Sequence, residues 1–456
     1  MPKKKTALTI EERLQQALVP AEEQPYEVPE NWVWVRLGEV NKYISKSVNP
    51  ISEPDKIFEL YSVPSMVDNY PEIIAGSDIG SSKQSVCKKD VLLCKINPRI
   101  NRVWKVSQFT DNELIASSEW IIIRNNHIDA NYLMYCFQSK YFREFMLSNV
   151  SGVGGSLMRA QPKYVQTYPI PLPPLSEQQR IVERIEELFA KLDEAKERLQ
   201  EVADSFAVRK AAILHKAFTG ELTKQWRREN GVSDESWEER LLGDVCTVNP
   251  KKIDAKNLDD NLEVSFVPMA AVSDVLGEIV NHEVKNLQDV RTGFTNFSKG
   301  DVIFAKITPC MENGKSAIVG TLVNDIGYGS TEFYVLRCNE ELNNKYLYHM
   351  VRNTTFRAEA KAVMTGAVGQ QRVPKTFLQE YQLLLPTLPE QHEIVRLIDD
   401  LLARERKAQQ ATEQALASIE LMKKSILARA FRGELSTNKA SEASALELLR
   451  QVLAEN

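Results

Sequence analysis

The chain has 456 residues, which at roughly 150 residues per domain is about three domains' worth and excludes a single small domain. Hydrophobic residues make up 43% and charged residues 26%, with 19 Gly and 20 Pro, which excludes disordered and collagen-like chains. The net charge of −5 announces no nucleic-acid binder in bulk, so any such role needs local basic patches.

At the N-terminus, Lys3, Lys4 and Lys5 lead into TALTIEERLQQALV, whose acids and glutamines interrupt any signal-peptide core, so export is not expected. No run of about eighteen apolar residues occurs, so no membrane-spanning helix is expected and the protein should be soluble. Residues 1–30 read as a helical extension and a linker that includes QPYEVPE, Gln24 to Glu30. The six cysteines, Cys87, Cys94, Cys136, Cys246, Cys310 and Cys338, make neither a C-x-x-C pair nor a disulfide framework, and a reducing cytoplasm fits them best.

Residues 31–172 read as a mixed α/β domain, in which the β-rich SEWIIIR (Ser118 to Arg124) precedes one helical stretch, NYLMYCFQSKYFREFML (Asn131 to Leu147). The glycine-rich SGVGGS that follows lacks G-x-G-x-x-G spacing and reads as a turn. Between Lys83 and Lys105 stand Lys83, Lys88, Lys89, Lys95, Arg99, Arg102 and Lys105 against only Asp90, with Gln84 and Trp104 among them. Such a cluster can meet phosphates and donate to base edges; a solvated hairpin is the plain alternative. Arg159 and Lys163 beside the glycine turn are further candidates. Asp55 and Glu59 lack the acid–x–Lys pattern that follows in many nucleases.

Residues 173–236 hold a long helix and a polar link, KQWRRENGVSDESWEER (Lys224 to Arg240) marking the passage to the next domain. Ile181, Ile185, Leu188, Leu192, Leu199, Val202, Phe206 and Ile213 recur at spacings of four and three or their sums, a heptad seam that Arg209 interrupts. Pro173 and Pro174 stop the preceding structure, and Gly220 sits where the helix should end.

Residues 237–386 read as a second α/β domain, with the strand TEFYVLR (Thr331 to Arg337), the helical stretch KYLYHMVRNTTFRAEAKAV (Lys345 to Val363) and the turn TGAVGQQR. Lys306, Lys315, Arg372 and Lys375 supply a sparser set of donors. NGKS at Asn313 to Ser316 lacks the first glycine of a P-loop, whose place is held by Pro309. The five histidines show no metal-ligand spacing, and no nucleophile elbow occurs, so neither a metal site nor a catalytic residue is expected.

Residues 387–456 repeat the long helix and add a tail. LPEQHEIVRLIDDLLARERKAQQAT begins at Leu388, 213 positions after its counterpart at Leu175, and the same shift carries ILHKAFTGEL onto ILARAFRGEL. Ile394, Ile398, Leu401, Ile419, Met422 and Ile426 form its seam, and Gly433 its end. Two such helices, neither able to bury its stripe alone, are expected to pair as an antiparallel coiled coil with a pseudo-two-fold repeat.

PLPPLSEQQRIVERIEELFAKLD with AFTGELT, LPTLPEQHEIVRLIDDLLA with AFRGEL, and GDVIFAKITPCMENGKSAIV together resemble the specificity (S) subunits of type I restriction–modification systems. The resemblance implies two α/β target-recognition domains separated by two conserved helical regions, in a chain that binds double-stranded DNA and does no chemistry itself. Each recognition domain would read one half of a bipartite asymmetric target, the coiled coil setting the spacer. It implies as partners two methyltransferase (M) subunits, which use S-adenosylmethionine on adenine N6, and two restriction (R) subunits, which use ATP and Mg. No cofactor is expected in this chain. The alternative is a structural coiled-coil adaptor binding proteins through its globular ends. Divergent α/β segments beside near-identical helices favour the DNA reader, and the extension before Asn31 departs from the family pattern.

Overall fold

The structure, a computed structural model, describes residues 8–151, 158–253, 258–367 and 369–454. The three N-terminal lysines, most of SGVGGS and Val368 of the second turn lie outside the described residues. Contacts divide the chain into two compact units, residues 1–199 with 414–456 and residues 200–413, the boundary falling inside both long helices.

The first unit starts with the helix Ile10–Ala17, set by a capping box in which Thr9 and Glu12 bond each other's backbone N–H groups. Its Leu14 and Ala17 join Leu448, Leu449, Val452 and Leu453 of the C-terminal helix Ala445–Ala454 in one core, so extension and tail close on the same domain. Strand Val33–Arg36 pairs antiparallel with Pro169–Leu172, tying the start of the α/β domain to its end. Between them lie a five-stranded sheet built around Ile57–Tyr61 and Glu113–Ala116, which run parallel, and a three-stranded sheet of Val103–Lys105, Val91–Cys94 and Trp120–Ile123. The apolar runs VLLC and WIII are buried at every position because both faces of their sheet are covered. Val91, Leu93, Ile121 and Ile123 face the helices, and Leu92, Cys94, Trp120 and Ile122 the other sheet, the two-residue period of a strand.

The second unit repeats the plan. Glu238–Leu241 pairs with Gln382–Leu385, and a four-stranded antiparallel sheet contains Val302–Ala305 and Phe333–Cys338. Val302, Phe304, Tyr334 and Leu336 face the helices, and Ile303, Ala305, Phe333 and Val335 a second core.

Three expectations are corrected or made specific. The stretch from Asn131 is not one helix but two, Ala130–Gln138 and Lys140–Ser148, and its counterpart divides into Asn344–Arg352 and Thr354–Ala362. Ser139 and Asn353 are extended at the breaks; the Asn353 side chain caps the next helix by accepting from Thr355 N, whereas Ser139 Oγ donates back to Cys136 O, and the turn buries Phe142 and Phe356. The polar link is ordered, with Lys224–Glu229 helical, because Arg227 answers a buried carboxylate, Glu390. The third concerns the seam.

The long helices run unbroken over Leu175–Phe218 and Leu388–Ala430, 44 and 43 residues or about 65 Å each. Both end at a left-handed glycine, Gly220 (φ 76°) and Gly433 (φ 74°), where Leu222 N donates to Lys216 O and Glu434 N to Arg429 O. Within each unit they are antiparallel. In the first, Lys196 pairs with Glu420 (2.9 Å) and Asp193 with Lys423 (2.5 Å); in the second, Arg209 pairs with Glu405 (2.9 Å). Ile181, Ile185, Phe206, Ile394, Ile398 and Ile419 are buried, and Leu188, Leu192, Leu199, Ile213, Leu401 and Ile426 half-buried. Val202 and Met422, however, are 40% and 50% exposed. A helix turns 3.6 residues per turn, not 3.5, so after Leu199 and Ile419 the inward places fall four positions on, at Ala203 and Lys423. Lys423 lays its ammonium 5.1 Å from the Phe189 ring centre.

The 213-residue repeat reaches individual hydrogen bonds. Buried Glu177 accepts from Trp32 Nε1 (2.8 Å) and Asn438 Nδ2 (2.9 Å), and buried Glu390 from Thr223 Oγ1 (2.6 Å) and Arg227 Nη1 (2.7 Å). In each unit, therefore, the start of one long helix is held by the segment that follows the other. Gln178 and Gln391 accept from the backbone N–H of Asp129 (2.9 Å) and Asn343 (2.8 Å), the N-caps of the domain helices, fixing each α/β domain to its long helix.

Candidate nucleic-acid interface

The sequence-predicted cations fall into two kinds. In the first domain, segment 95–99 lies against 158–163: Ala160 N donates to Lys95 O (2.9 Å), Asn97 N to Met158 O (2.8 Å), and Ile96 bridges Arg159. In the second, 306–309 lies against 371–375: Val373 N donates to Lys306 O (2.9 Å), Thr308 N to Gln371 O (3.0 Å), and Ile307 bridges Arg372. Each ledge is stapled by an equivalent two-pronged ion pair. Arg159 donates through Nε and Nη2 to Glu119 (3.3 and 3.2 Å), and Arg372 through the same atoms to Glu332 (2.9 and 2.8 Å). The Arg372 hydrogen bonds hold the Glu332 carboxyl below its ordinary pKa, and Arg372 Nη1 also donates to Gln370 O (2.9 Å).

These two arginines thus have protein partners, and so do three lysines. Lys105 Nζ donates to Asn131 Oδ1 (2.6 Å), Lys315 Nζ to Met269 O (3.2 Å) and Lys83 Nζ to Ser81 O (2.9 Å) and Oγ (2.7 Å). Lys83 sits on the five-stranded sheet rather than on the ledge, and burial lowers its ammonium pKa. Lys306 lies 5.2 Å from the Tyr334 ring centre and Arg102 is half-buried. Lys88, Lys89, Arg99, Lys163 and Lys375 are exposed, with Lys89 at a left-handed turn (φ 75°). Lys95 is half-buried on the first ledge. The ledges therefore gather Lys95, Arg99, Arg159 and Lys163 in one domain and Lys306, Arg372 and Lys375 in the other. What sequence reasoning missed were the acceptors Glu119 and Glu332, legible only as a second pair of equivalents at the 213-residue shift.

The carboxylates beneath the domains are structural. Glu59 is fully buried, and burial raises its pKa, but donors from Phe109 N (2.9 Å), Tyr61 Oη (2.7 Å) and Thr110 N and Oγ1 hold it below the ordinary value. Buried Asp90 and Asp301 each take a two-pronged pair, from Arg124 and Arg337. Among the described residues no group of three or more His, Cys, Asp or Glu is placed to hold a metal ion, and no helix is long and apolar enough to cross a membrane.

Comparison with known proteins agrees with this doubled plan. The family described as the type I restriction modification DNA specificity domain matches twice, over residues 29–204 and 234–416. The chain is 32% identical over 263 residues to the type I restriction enzyme EcoEI specificity subunit of Escherichia coli, covering 48% of this chain and 44% of that protein. It is 37% identical over 187 residues to the EcoAI specificity subunit of the same species, covering 41% and 31%. It therefore spans less than half the length of these two relatives. Against the StySPI specificity subunit of Salmonella potsdam it is 26% identical, with 72% of each chain covered. The fold is shared with the crystal structure of the HsdS subunit from Thermoanaerobacter tengcongensis, at TM-score 0.65 and 22% identity over 90% of this chain and 99% of that one. A structure described as underlying complex assembly and conformational transition of the type I R-M system aligns at TM-score 0.68 and 21% identity, covering 90% and 100%. With both α/β domains matched and the helices between them included, the chain belongs to the type I restriction modification DNA specificity family.

Proposed function

We propose that this chain is the DNA-reading, non-catalytic specificity subunit of a type I restriction–modification complex in the cytoplasm, each α/β domain reading one half of a split, asymmetric target. The observation that carries this is the doubled ledge: two Lys- and Arg-bearing segments held in the same register by equivalent Arg–Glu pairs, at equivalent places in two divergent domains. Exposed Lys88, Lys89, Arg99, Lys163 and Lys375 meet phosphates, where charge suffices, while Arg159 and Arg372 keep the ledges in shape. Lys95 and Lys306, on the ledges, are the candidates for contact with bases.

Two linked half-site readers gain affinity through effective concentration only when the spacing of the DNA matches theirs, so the helix pair would act as the ruler for the unspecified spacer. Two M subunits dock on the helical regions and supply the adenine-N6 chemistry with S-adenosylmethionine, and two R subunits add ATP- and Mg-dependent cleavage; this chain holds none of those cofactors. The test is to co-express the chain with its M subunit and sequence host DNA for N6-methyladenine. A single split motif with a fixed gap is expected. No methylation from an assembled complex that binds S-adenosylmethionine would overturn the reading.

A further inference from the structure

Within residues 200–413 a cavity of about 870 Å³ opens between the long helices (206–214 and 399–409), the helix Asn344–Arg352, the loop 274–282 and the segment 313–322, which includes the strand Ser316–Ile318. That is within the range of small-molecule sites. Besides Lys345, which pairs with Asp399, four cations line it: Lys210, Arg352, Arg357 and Arg406. None of the four forms an ion pair among the described residues. Arg352 is aimed by backbone carbonyls alone, donating to Gly314 O (2.9 Å) and Asp274 O (2.8 Å). Arg357 donates through Nη1 to Glu312 O and leaves its Nε buried without a partner. Arg352 and Arg357 are half-buried and Lys210 and Arg406 exposed at the mouth of the cavity; the Lys210 ammonium pKa is still pushed down, by desolvation and then by Arg352, Arg357 and Arg406.

Two of the four lining acids are already paired, so the four cations face only two unpaired carboxylates. Asp399 is taken by His349 (3.1 Å) and Lys345 (3.1 Å), and Glu405 by Arg209 (2.9 Å). Asp274 and Glu278, on loop 274–282, form no ion pair among the described residues. The internal repeat supplies the control. The counterparts of Lys210 and Arg406 are Lys423 and Asp193, an ion pair of 2.5 Å, and the counterpart of Arg352, by place in its helix, is Gln138. Where the first unit pairs a lysine with an aspartate, the second places a lysine and an arginine in the lining of one cavity. Unpaired cations crowded into one cavity repel one another until an anion enters, and guanidinium groups match phosphate oxygens in pairs. One wall is apolar, with Phe206, Ile279 and Leu322, and beside it the Tyr348 ring is flanked by Arg352 at 5.5 Å. Gly277 (φ 71°) brings the loop so close that a Cβ would lie 2.6 Å from Arg352 Nη1.

We propose that this cavity binds a phosphate-bearing anion of nucleotide size, its phosphates on Lys210, Arg352, Arg357 and Arg406 and its flat, less polar part against Tyr348 and the apolar wall. None of the ledge residues lines it, so the site stands independently of how DNA is read. The test is calorimetric titration of the full chain with ADP, pyrophosphate and adenosine. ADP is expected to bind with Kd at or below about 1 mM, pyrophosphate more weakly and adenosine weakest of all. R406D, which installs the residue found at the equivalent place of the first repeat, should weaken ADP at least about tenfold while thermal unfolding without ligand stays unchanged or rises. K163A, on the first ledge, should leave ADP binding unchanged. Absence of ADP binding to the folded chain at about 5 mM, equal binding by wild type and R406D, or an equal loss in K163A would overturn the proposal. Pyrophosphate binding as tightly as ADP would overturn the role of the apolar wall.

Discussion

At the scale of single residues, the buried charges decide most. Arg227 and Glu390 are both nearly inaccessible, and Glu390 answers at once to Thr223 and Arg227. Removing one partner leaves a buried charge unpaired, so Arg227→Ala should destabilise the second unit by about 3 kcal/mol in urea denaturation, whereas Arg198→Ala, which breaks an exposed pair with Glu194, should cost under about 0.5 kcal/mol. A similar loss in both would show that the docked link contributes nothing. Among the ledge residues, Lys163→Ala and Lys375→Ala should weaken binding to all DNA sequences alike, each lowering the log K versus log salt slope by about 0.9. An unchanged slope with relaxed base preference would move those lysines from phosphate to base contact. The basic cluster of the first domain was legible from composition, but its sorting was not. Whether Arg159 is free or held depends on Glu119, forty positions away, and only the sheet brings them together.

Elements follow from local rules more fully. The prolines before each long helix, the glycines after it and the apolar stripe between are all local signals, and the helices begin and end there. Strict heptad counting still misplaced Val202 and Met422, because real helical pitch carries a residue around the axis while a written repeat does not. The domain helices were run together for a related reason: periodicity is nearly continuous across Ser139 and Asn353, and only the need to fold Phe142 and Phe356 back onto the core breaks it. Deleting one heptad from the exposed middle of the first long helix turns the stripe by only about 20° and shortens the helix by about 10 Å. It should change or abolish use of the original spacer in a reconstituted methylation assay while each domain stays folded by circular dichroism. An unaltered spacer preference would refute the ruler.

For the whole molecule, the termini matter more than their position suggests. The helix Ala445–Ala454 buries Ala445, Leu449, Val452 and Leu453 completely, against a core that includes Leu14 and Ala17 of the extension. Truncation before Ala445 removes several fully buried side chains, each contributing about 1.5–3 kcal/mol, and should unfold the first unit early, as a split thermal transition in which the second unit keeps its own melting point. A single unshifted transition would mean the tail is an ornament. Removing residues 8–20 should produce the same split in weaker form.

The sequence by itself determined the duplication, the long helices, the mixed α/β character of both domains and the family resemblance, because these rest on periodicity, helix signals and repeated words that need no partner to be read. The tertiary structure alone decided which cations are held by carboxylates, how Glu177 and Glu390 tie each helix start to the segment following the other, where the extension and tail settle, and that Lys210 and Arg406 line one cavity where their counterparts form an ion pair. These depend on contacts between residues tens to hundreds of positions apart, and a charge or a buried acceptor takes its meaning from the neighbour that folding supplies.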